Sequence, residues 1–168
     1  MDSSVYVSGL DELQAALSAF SQKIQGNVMR QALYAGQKVF MQAAIANVPV
    51  SPPSGGNASH YGAYAGALKD SIRISTYNRD GVVRAVLKAG NGKAYYAHMV
   101  EFGTVRHYIT SKTGKVLKFG DKYASNLVHP GASAHPFMRP AFDSSGEEAV
   151  LAVADYLRQR IEEEKVKS

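Results

Sequence analysis

The sequence predicts an α+β fold in which a long N-terminal helix and a C-terminal helix pack on one face of an antiparallel sheet, with a protruding hairpin and loop. Two observations predict this fold. Apolar residues recur every three or four positions near both ends of the chain, and they alternate with polar residues in the middle. A sheet with one apolar face buries that face under helices. The 168 residues form one domain, since domains usually have roughly 100–200 residues.

The first helix is predicted by an apolar stripe over residues 10–46. Gly26 and Asn27 fall inside this stripe, and glycine is a poor helix former, so we expect a short helix followed by a long one. Pro49 disfavours helical backbone in the residue before it, so the long helix should end by Val48.

A loop and a hairpin are expected next. Serine, proline and glycine dominate the stretch after the helix and predict a mobile loop over about residues 50–65. Residues 71–77 and 82–89 alternate apolar with polar side chains, and the turn signal at 78–81 joins them as an antiparallel hairpin. Residues 95–102 fit either a third strand or a short helix, because eight residues show too little periodicity to decide.

A second hairpin is expected further along the chain. Residues 106–109 and 115–119 flank Ser-Lys-Thr-Gly at 111–114, which suits a polar hairpin tip. The stretch from 121 to 136 has the composition of irregular chain.

The last helix is predicted to begin near Ser145, which forms a capping box with Glu148. Alternatively, Pro140 is a first-turn proline and the helix begins earlier. The charged end, residues 163–168, is expected to be flexible. The apolar stripe of this helix is Val150, Val153, Ala154, Leu157 and Ile161.

The composition excludes several classes of protein. The chain has no cysteine, which removes disulfides, thiolate metal sites and cysteine nucleophiles. No stretch has the roughly 18 apolar residues of a membrane span, and the first residues do not have the pattern of a signal peptide. These observations favour a protein made and kept in a reducing cytoplasm.

The residues give little support for catalysis. His129 and His135 could join Glu101 or His107 around a metal, but their spacing is not one that recurs in metal sites. A Gly-x-Ser-x-Gly elbow and a phosphate-binding loop are both missing from the sequence. We therefore expect no enzymatic activity, no metal and no cofactor.

Positive charge is concentrated in the middle third of the chain. Residues 61–120 carry 10 basic and 3 acidic side chains, so this region is where an anion would bind. The excess fits solvated strand faces and loop tips, or a surface that meets nucleic acid or an acidic partner. The candidate DNA-facing residues are Arg73, Arg79, Arg84, Lys88 and Lys93.

Four motifs occur in a fixed order along the chain. They are Ala-x-x-Pro-Val at 46–50, Gly-x-Leu-x-x-Ser-Ile at 66–72, Tyr-Ala-x-x-Val-Glu-Phe-Gly-Thr at 96–104, and Pro-Phe-x-x-Pro-Ala at 136–141. Together with the flanking helices, they resemble the head–tail joining family of long-tailed bacteriophages, the neck or tail-completion proteins related to lambda minor tail protein Z. The resemblance covers about residues 8–162, and the loop before Gly66 is longer than the family's usual link.

The resemblance implies a structural protein of a phage or prophage virion, assembled in the host bacterial cytoplasm. It implies a homo-oligomeric ring at the head–tail junction, a hexamer in the virion. The expected partners are the head connector and the tail tube or tail terminator proteins, with non-specific contact to passing DNA and no membrane. Nucleic-acid binding through the basic sheet at residues 73–118 is the alternative function.

The motif residues also have physical interpretations. Glu101 is expected to be half buried, as a carboxylate that accepts backbone donors or pairs with Arg139, and Gly103 to allow a sharp turn before Thr104. Pro136, Phe137 and Pro140 should fix the start of the last helix, and Phe137 is either a core anchor or an anchor in a neighbouring subunit. Phe102 completes this structural motif. The interface candidates are Tyr108, Lys112, Lys115, Lys118, Phe119, Phe137 and Arg139.

Overall fold

The structure is a computed structural model that describes residues 22–50, 64–110, 116–119, 122–124 and 126–167, with positions 11, 14, 15 and 18. The helices are α1 (Gln22–Asn47), α2 (Ala67–Asp70), α3 (Ala97–Phe102) and α4 (Met138–Lys167). The strands are β1 (Arg73–Arg79), β2 (Val82–Lys88), β3 (His107–Thr110), β4 (Leu117–Phe119), β5 (Lys122–Ala124) and β6 (Asn126–His129). Among these described helices, none is long and apolar enough to cross a membrane.

The α+β class with two long helices is confirmed. The inner face of the β1–β2 hairpin packs against α1, and α4 packs chiefly along α1. The strands form three separate two-stranded antiparallel sheets within the described residues. Helix α1 therefore lies in the middle of the molecule, with the hairpin on one side and α4 on another.

The first hairpin forms as predicted, with a tighter turn. Arg79 pairs with Val82, so only Asp80 and Gly81 remain in the loop. Their φ angles are 55° and 77°, and a type I′ turn requires positive φ at both central residues. This turn matches the right-handed twist of the strands, which extend to residues 79 and 82.

The predicted interruption at Gly26 and Asn27 is wrong, because α1 runs through both residues. Val28 and Ala32, in the next turn, are 3% and 0% exposed and pack against Leu157 of α4. Glycine in a helix interior costs only about 1 kcal/mol, and burial of the following turns exceeds this cost. The predicted end of the helix before Pro49 is confirmed.

The predicted start of the last helix at Ser145 is also wrong, and the alternative start near Pro140 is confirmed. Helix α4 begins at Met138, which places Pro140 in the first turn, where its missing N–H costs nothing. Ser145 is buried inside the helix. The flexibility of residues 163–168 stays a prediction, although the helix continues to Lys167.

The buried side of α4 differs from the predicted stripe. Ala141, Ala149 and Leu157 are buried, whereas Val150 is 66% exposed. Ala149 is buried because α1 comes close to it at Gly36. A Cβ atom on Gly36 would lie 2.9 Å from the Ala149 carbonyl oxygen and 2.7 Å from Val153 Cγ2.

The main core lies where α1, α2, α3 and the start of α4 meet. The stretch 95–102 fitted either a strand or a helix from the sequence; in the structure its residues 97–102 form helix α3 within this region. Most core side chains are small, so the backbones approach closely. The buried members are Ala44, Val48, Leu68, Ile72, Ala94, Ala97, Phe137 and Ala141.

The predicted second hairpin has the wrong strand pairing. Strand β3 pairs with β6, and β4 pairs with β5, so one hairpin lies inside the other. The expected irregular stretch 121–136 therefore contains strands β5 and β6. Pairing β3 with β6 places Ile109 opposite Leu127, an apolar match that the local turn signal does not reveal. The expected hairpin tip at 111–114 and the predicted mobile loop at 51–63 lie outside the described residues.

The close approach of α1 and α4 generates a stability prediction. Gly36→Ala places a methyl group against the Ala149 carbonyl, so we expect the free energy of unfolding to fall by about 1–3 kcal/mol. Gly146→Ala in α4 is the matched control, because a Cβ there meets nothing within 4 Å. Helix propensity predicts that this control stabilises the protein by about 0.5–1 kcal/mol.

Urea unfolding of both variants measures the difference. Equal stabilisation by the two alanines would show that α1 and α4 do not pack as closely as the structure has them.

Candidate partner-binding surfaces

The carboxylate of Glu101 is bound at the start of α4. It lies at the end of α3 and is only 8% exposed. Oε2 accepts the backbone N–H groups of Phe137 at 2.8 Å and Met138 at 2.9 Å, and Oε1 accepts that of Arg139 at 3.0 Å. The first N–H groups of a helix have no partner within the helix, so this side chain caps α4 from a distant point in the sequence. The expected role of Glu101 as an acceptor of backbone donors is confirmed.

The electrostatics of this cap follow from its geometry. Burial raises the pKa of the Glu101 carboxyl, but three backbone N–H donors and the nearby Arg139 guanidinium outweigh burial and lower that pKa below its usual value. The ionised form is thus the form that the folded protein stabilises. The positive end of the α4 dipole acts in the same direction.

The residues beside Glu101 join the same two segments. Thr104 N–H donates to the Ala132 carbonyl at 2.9 Å, and Ala132 N–H donates back at 3.1 Å. Gly103 has a φ of 72°, and a Cβ there would lie 2.7 Å from the Ala132 oxygen. His135 N–H also donates to the Val100 carbonyl at 2.8 Å. The motif at 96–104 and the motif at 136–141 therefore form the two halves of one junction.

Phe137 lies at the centre of this junction. Its side chain is 0% exposed and belongs to the main core. Pro136 and Pro140 flank it and are exposed. A side chain buried in its own chain is not available to a neighbouring subunit, so the packing interpretation of Phe137 is confirmed and the interface interpretation is not supported.

An apolar groove of about 620 Å³ opens beside the junction. It is lined by residues of α1, β2, α3 and the first turns of α4. Phe40 and Phe142 stack in its wall with ring centroids 5.0 Å apart. Phe102 and Phe142 remain 69% and 64% exposed, and the exposed side chain of Arg139 also lines the groove.

Sequence reasoning missed this groove. Phe142 directly follows the last motif and Phe40 lies in the helical stripe, but their contact is a tertiary feature. The one available signal was the phenylalanine that directly follows Pro-Ala in the motif at 136–141.

The two nested ribbons form a protruding arm, which we define as the described residues between Thr104 and Ala132, namely 104–110, 116–119, 122–124 and 126–132. Its described strands pack chiefly on each other, and none of its described side chains belongs to a core cluster. Tyr108 and its cross-strand neighbour Val128 are 71% and 40% exposed. Lys112 and Lys115 lie outside the described residues, whereas Lys118 and Phe119 lie on strand β4.

Four of the five candidate DNA-facing residues share one surface. In the hairpin register Arg73 pairs with Lys88, and Tyr77 pairs with Arg84. Side chains alternate along a strand, so these residues and Arg79 lie on the outer face, away from α1. The fifth candidate, Lys93, lies elsewhere, with its Nζ 5.7 Å from the centroid of the Tyr64 ring.

The histidines include one close pair. The rings of His107 and His129 stack with centroids 5.0 Å apart. Nδ1 of His107 donates to the Val105 carbonyl at 3.0 Å, and Nδ1 of His129 accepts the Gly131 N–H at 3.1 Å. Within the described part of the chain, no group of three histidine or carboxylate side chains could hold a metal ion.

These features define a class of protein: an α+β domain with a capped helix junction, an apolar groove and a projecting arm. Residues 11–103, more than half of the chain, match the family described as “Bacteriophage HK97-gp10, putative tail-component”. The chain belongs to this family. The match ends at Gly103, so the arm and α4 lie beyond it. No curated protein and no solved structure matches the chain.

The helix cap generates a second prediction. Glu101→Gln removes the charge and one of the acceptor oxygens, so we expect the free energy of unfolding to fall by about 1–3 kcal/mol. Glu147→Gln, at an exposed position on α4, is the matched control and should change this free energy by less than about 0.5 kcal/mol. Urea denaturation measures both variants. Equal effects would contradict the role of Glu101 as the cap.

The lowered pKa of Glu101 generates a third prediction, on pH dependence. A carboxyl whose pKa is lower in the folded state contributes stability above its unfolded pKa of about 4.3. That contribution disappears as the pH falls through the folded value. The difference in unfolding free energy between the wild type and Glu101→Gln should therefore shrink as the pH is lowered from about 5 to 3.

Urea titrations at stepped pH values measure this difference. A difference that grows on acidification would mean that the folded state favours the neutral carboxyl.

Proposed function

We propose that copies of this chain form a closed ring at the head–tail junction of a tailed phage or prophage, where the ring joins or completes the tail. Membership of the tail-component family indicates a bacteriophage structural protein located in the virion. The ring and its place at the junction go beyond that membership. They are supported by the four ordered motifs and by the exposed surfaces of the structure.

The motif at 136–141 extends the likeness beyond the segment that matches the family. Residues of this motif and its first helical turn supply the backbone N–H donors that the Glu101 carboxylate accepts. Each of the two segments that meet at the junction therefore contains one of the four motifs that resemble the neck proteins. The relation to lambda minor tail protein Z is part of the proposal, and it rests on this order of motifs.

The arm is the observation that carries the proposal. An isolated two-stranded ribbon is marginally stable in water at best. Both ribbons of the arm are two-stranded, and Tyr108 leaves 71% of its surface exposed on one of them. Exposed aromatic side chains of this kind are frequent anchors in protein interfaces. The arm thus has the properties of a segment that is completed by a partner protein.

The proposed role is assembly rather than turnover. Copies in a closed ring meet through two different surfaces, each fitting the next copy. We propose a hexamer, which matches the symmetry of a tail, with the head connector on one side and the tail tube or tail terminator on the other. The arm is the segment that reaches these partners, after assembly begins in the host cytoplasm.

Light scattering of the purified chain, alone and mixed with the assembled connector or tail tube, tests this proposal. We expect a ring-sized species either from the chain alone or only in the mixture. Tyr108→Ser should weaken formation of the mixed species at least ~30-fold, the effect of losing an interface hot spot. Tyr34→Ser, at a tyrosine that is 40% exposed on α1, is the control and should leave it unchanged.

A chain that keeps the mass of a monomer in every mixture would contradict the proposed ring. Equal weakening by both tyrosine variants would contradict the role of the arm.

A further inference from the structure

One exposed surface of the chain is basic around an apolar centre. We call it the hairpin face, and it is the outer side of β1 and β2. Tyr77 and Val82 are 41% and 48% exposed there. Four cations surround them, and the two strands place no carboxylate on this side. The cations are Arg73, Arg79, Arg84 and Lys88.

A second exposed surface has the opposite charge around a similar centre. We call it the α4 face, and it is the side of α4 that points away from α1. Val150 and Leu151 are 66% and 56% exposed there. Ala149 and Leu157 face α1, so the helical period places Leu151 on the other side of the helix. Exposed acidic side chains surround it: Asp143, Glu147, Glu148, Asp155 and Glu162.

Among the described residues, most carboxylates of the α4 face form no ion pair. Among the described residues, the ion pair that involves this set joins Asp155 to Arg158 at 2.7 Å, and both side chains remain exposed. Arg158 is also the one basic residue among the exposed positions between 143 and 162. The face therefore keeps a net negative charge around two exposed aliphatic side chains.

We infer that the hairpin face of one copy docks on the α4 face of the next copy. Opposite charges around two apolar centres give electrostatic and hydrophobic complementarity together. The hairpin and α4 pack on different sides of α1, so one copy can offer its hairpin face to one neighbour and its α4 face to another. A head-to-tail contact of this kind closes into a ring when the rotation between copies closes. This inference rests on the proposed ring and assigns its lateral contact.

The alternative partner for the hairpin face is nucleic acid. Binding to phosphates would use the four cations but would leave Val82 and the α4 face uncovered. Docking of a second copy covers both apolar centres. The observations therefore favour the second copy, and DNA becomes one outcome of the test.

Disulfide trapping tests the contact, because the chain has no cysteine of its own. Val82→Cys and Leu151→Cys are purified separately, mixed in the presence of the assembled connector or tail tube, and oxidised. The matched control replaces Leu151→Cys with Lys38→Cys, an exposed position on α1 outside both faces. The inference predicts at least ~10-fold more covalent heterodimer from the test pair than from the control pair, since adjacent copies bring only the first two thiols together.

A charge swap gives the test its specificity. Arg79→Glu with Arg84→Glu on the Val82→Cys chain should lower trapping several-fold. Glu147→Lys with Glu148→Lys on the Leu151→Cys chain should do the same. Mixing the two reversed chains should restore trapping, because the charges become complementary again.

Trapping no greater than the control, or reversals that do not rescue each other, would overturn the contact. If wild-type chain still gives a ring-sized species by light scattering, the ring stands and uses another lateral surface. If no ring-sized species appears either, the proposed function fails as well. A third outcome also overturns the contact: the hairpin reversal abolishes salt-sensitive binding to short duplex DNA and leaves trapping unchanged.

Discussion

One buried carboxylate connects the parts of this molecule. Glu101 ends α3 and accepts three backbone N–H groups at the start of α4, so two segments more than 30 residues apart meet at one point. The contact fixes where α4 begins, and it positions the helix to pack along α1. It also brings together the two ends of the arm, which the Thr104–Ala132 bridge closes. The main core, the groove and the base of the arm all adjoin this cap, whose residues lie in the motifs at 96–104 and 136–141.

A rigid junction with exposed surfaces around it suits a protein that acts by contact. The arm leaves the junction at Gly103 and exposes Tyr108, and the groove beside the junction exposes Phe102 and Phe142. Contiguous exposed apolar patches often mark sites of interaction with a partner. Membership of a phage tail-component family agrees with this interpretation, because such proteins work within an assembly. In the proposed ring, the arm, the hairpin face and the α4 face contact different neighbours.

Local signals predicted a large part of the fold and of the junction. The Asp80–Gly81 turn follows from two adjacent residues that tolerate positive φ. Glu101 was predicted as a half-buried acceptor of backbone donors; it does accept them, and it is buried more deeply than predicted. Non-local features could not be predicted. The pairing of β3 with β6 depends on strands separated by another hairpin, and the exposure of Val150 depends on Gly36 drawing Ala149 against α1. The groove is formed by side chains from four elements, so no single segment of sequence contains it.

The central claim is that the chain is a ring component at the junction of head and tail. Quantitative mass spectrometry of purified virions, with labelled peptides of this chain as standards, measures its copy number per particle. One closed ring per particle corresponds to about six copies. The chain should also stay with the head or the tail when the two are separated. Absence from the particle, or a copy number many times larger, as for a subunit repeated along the whole tail, would rule out a ring at the junction.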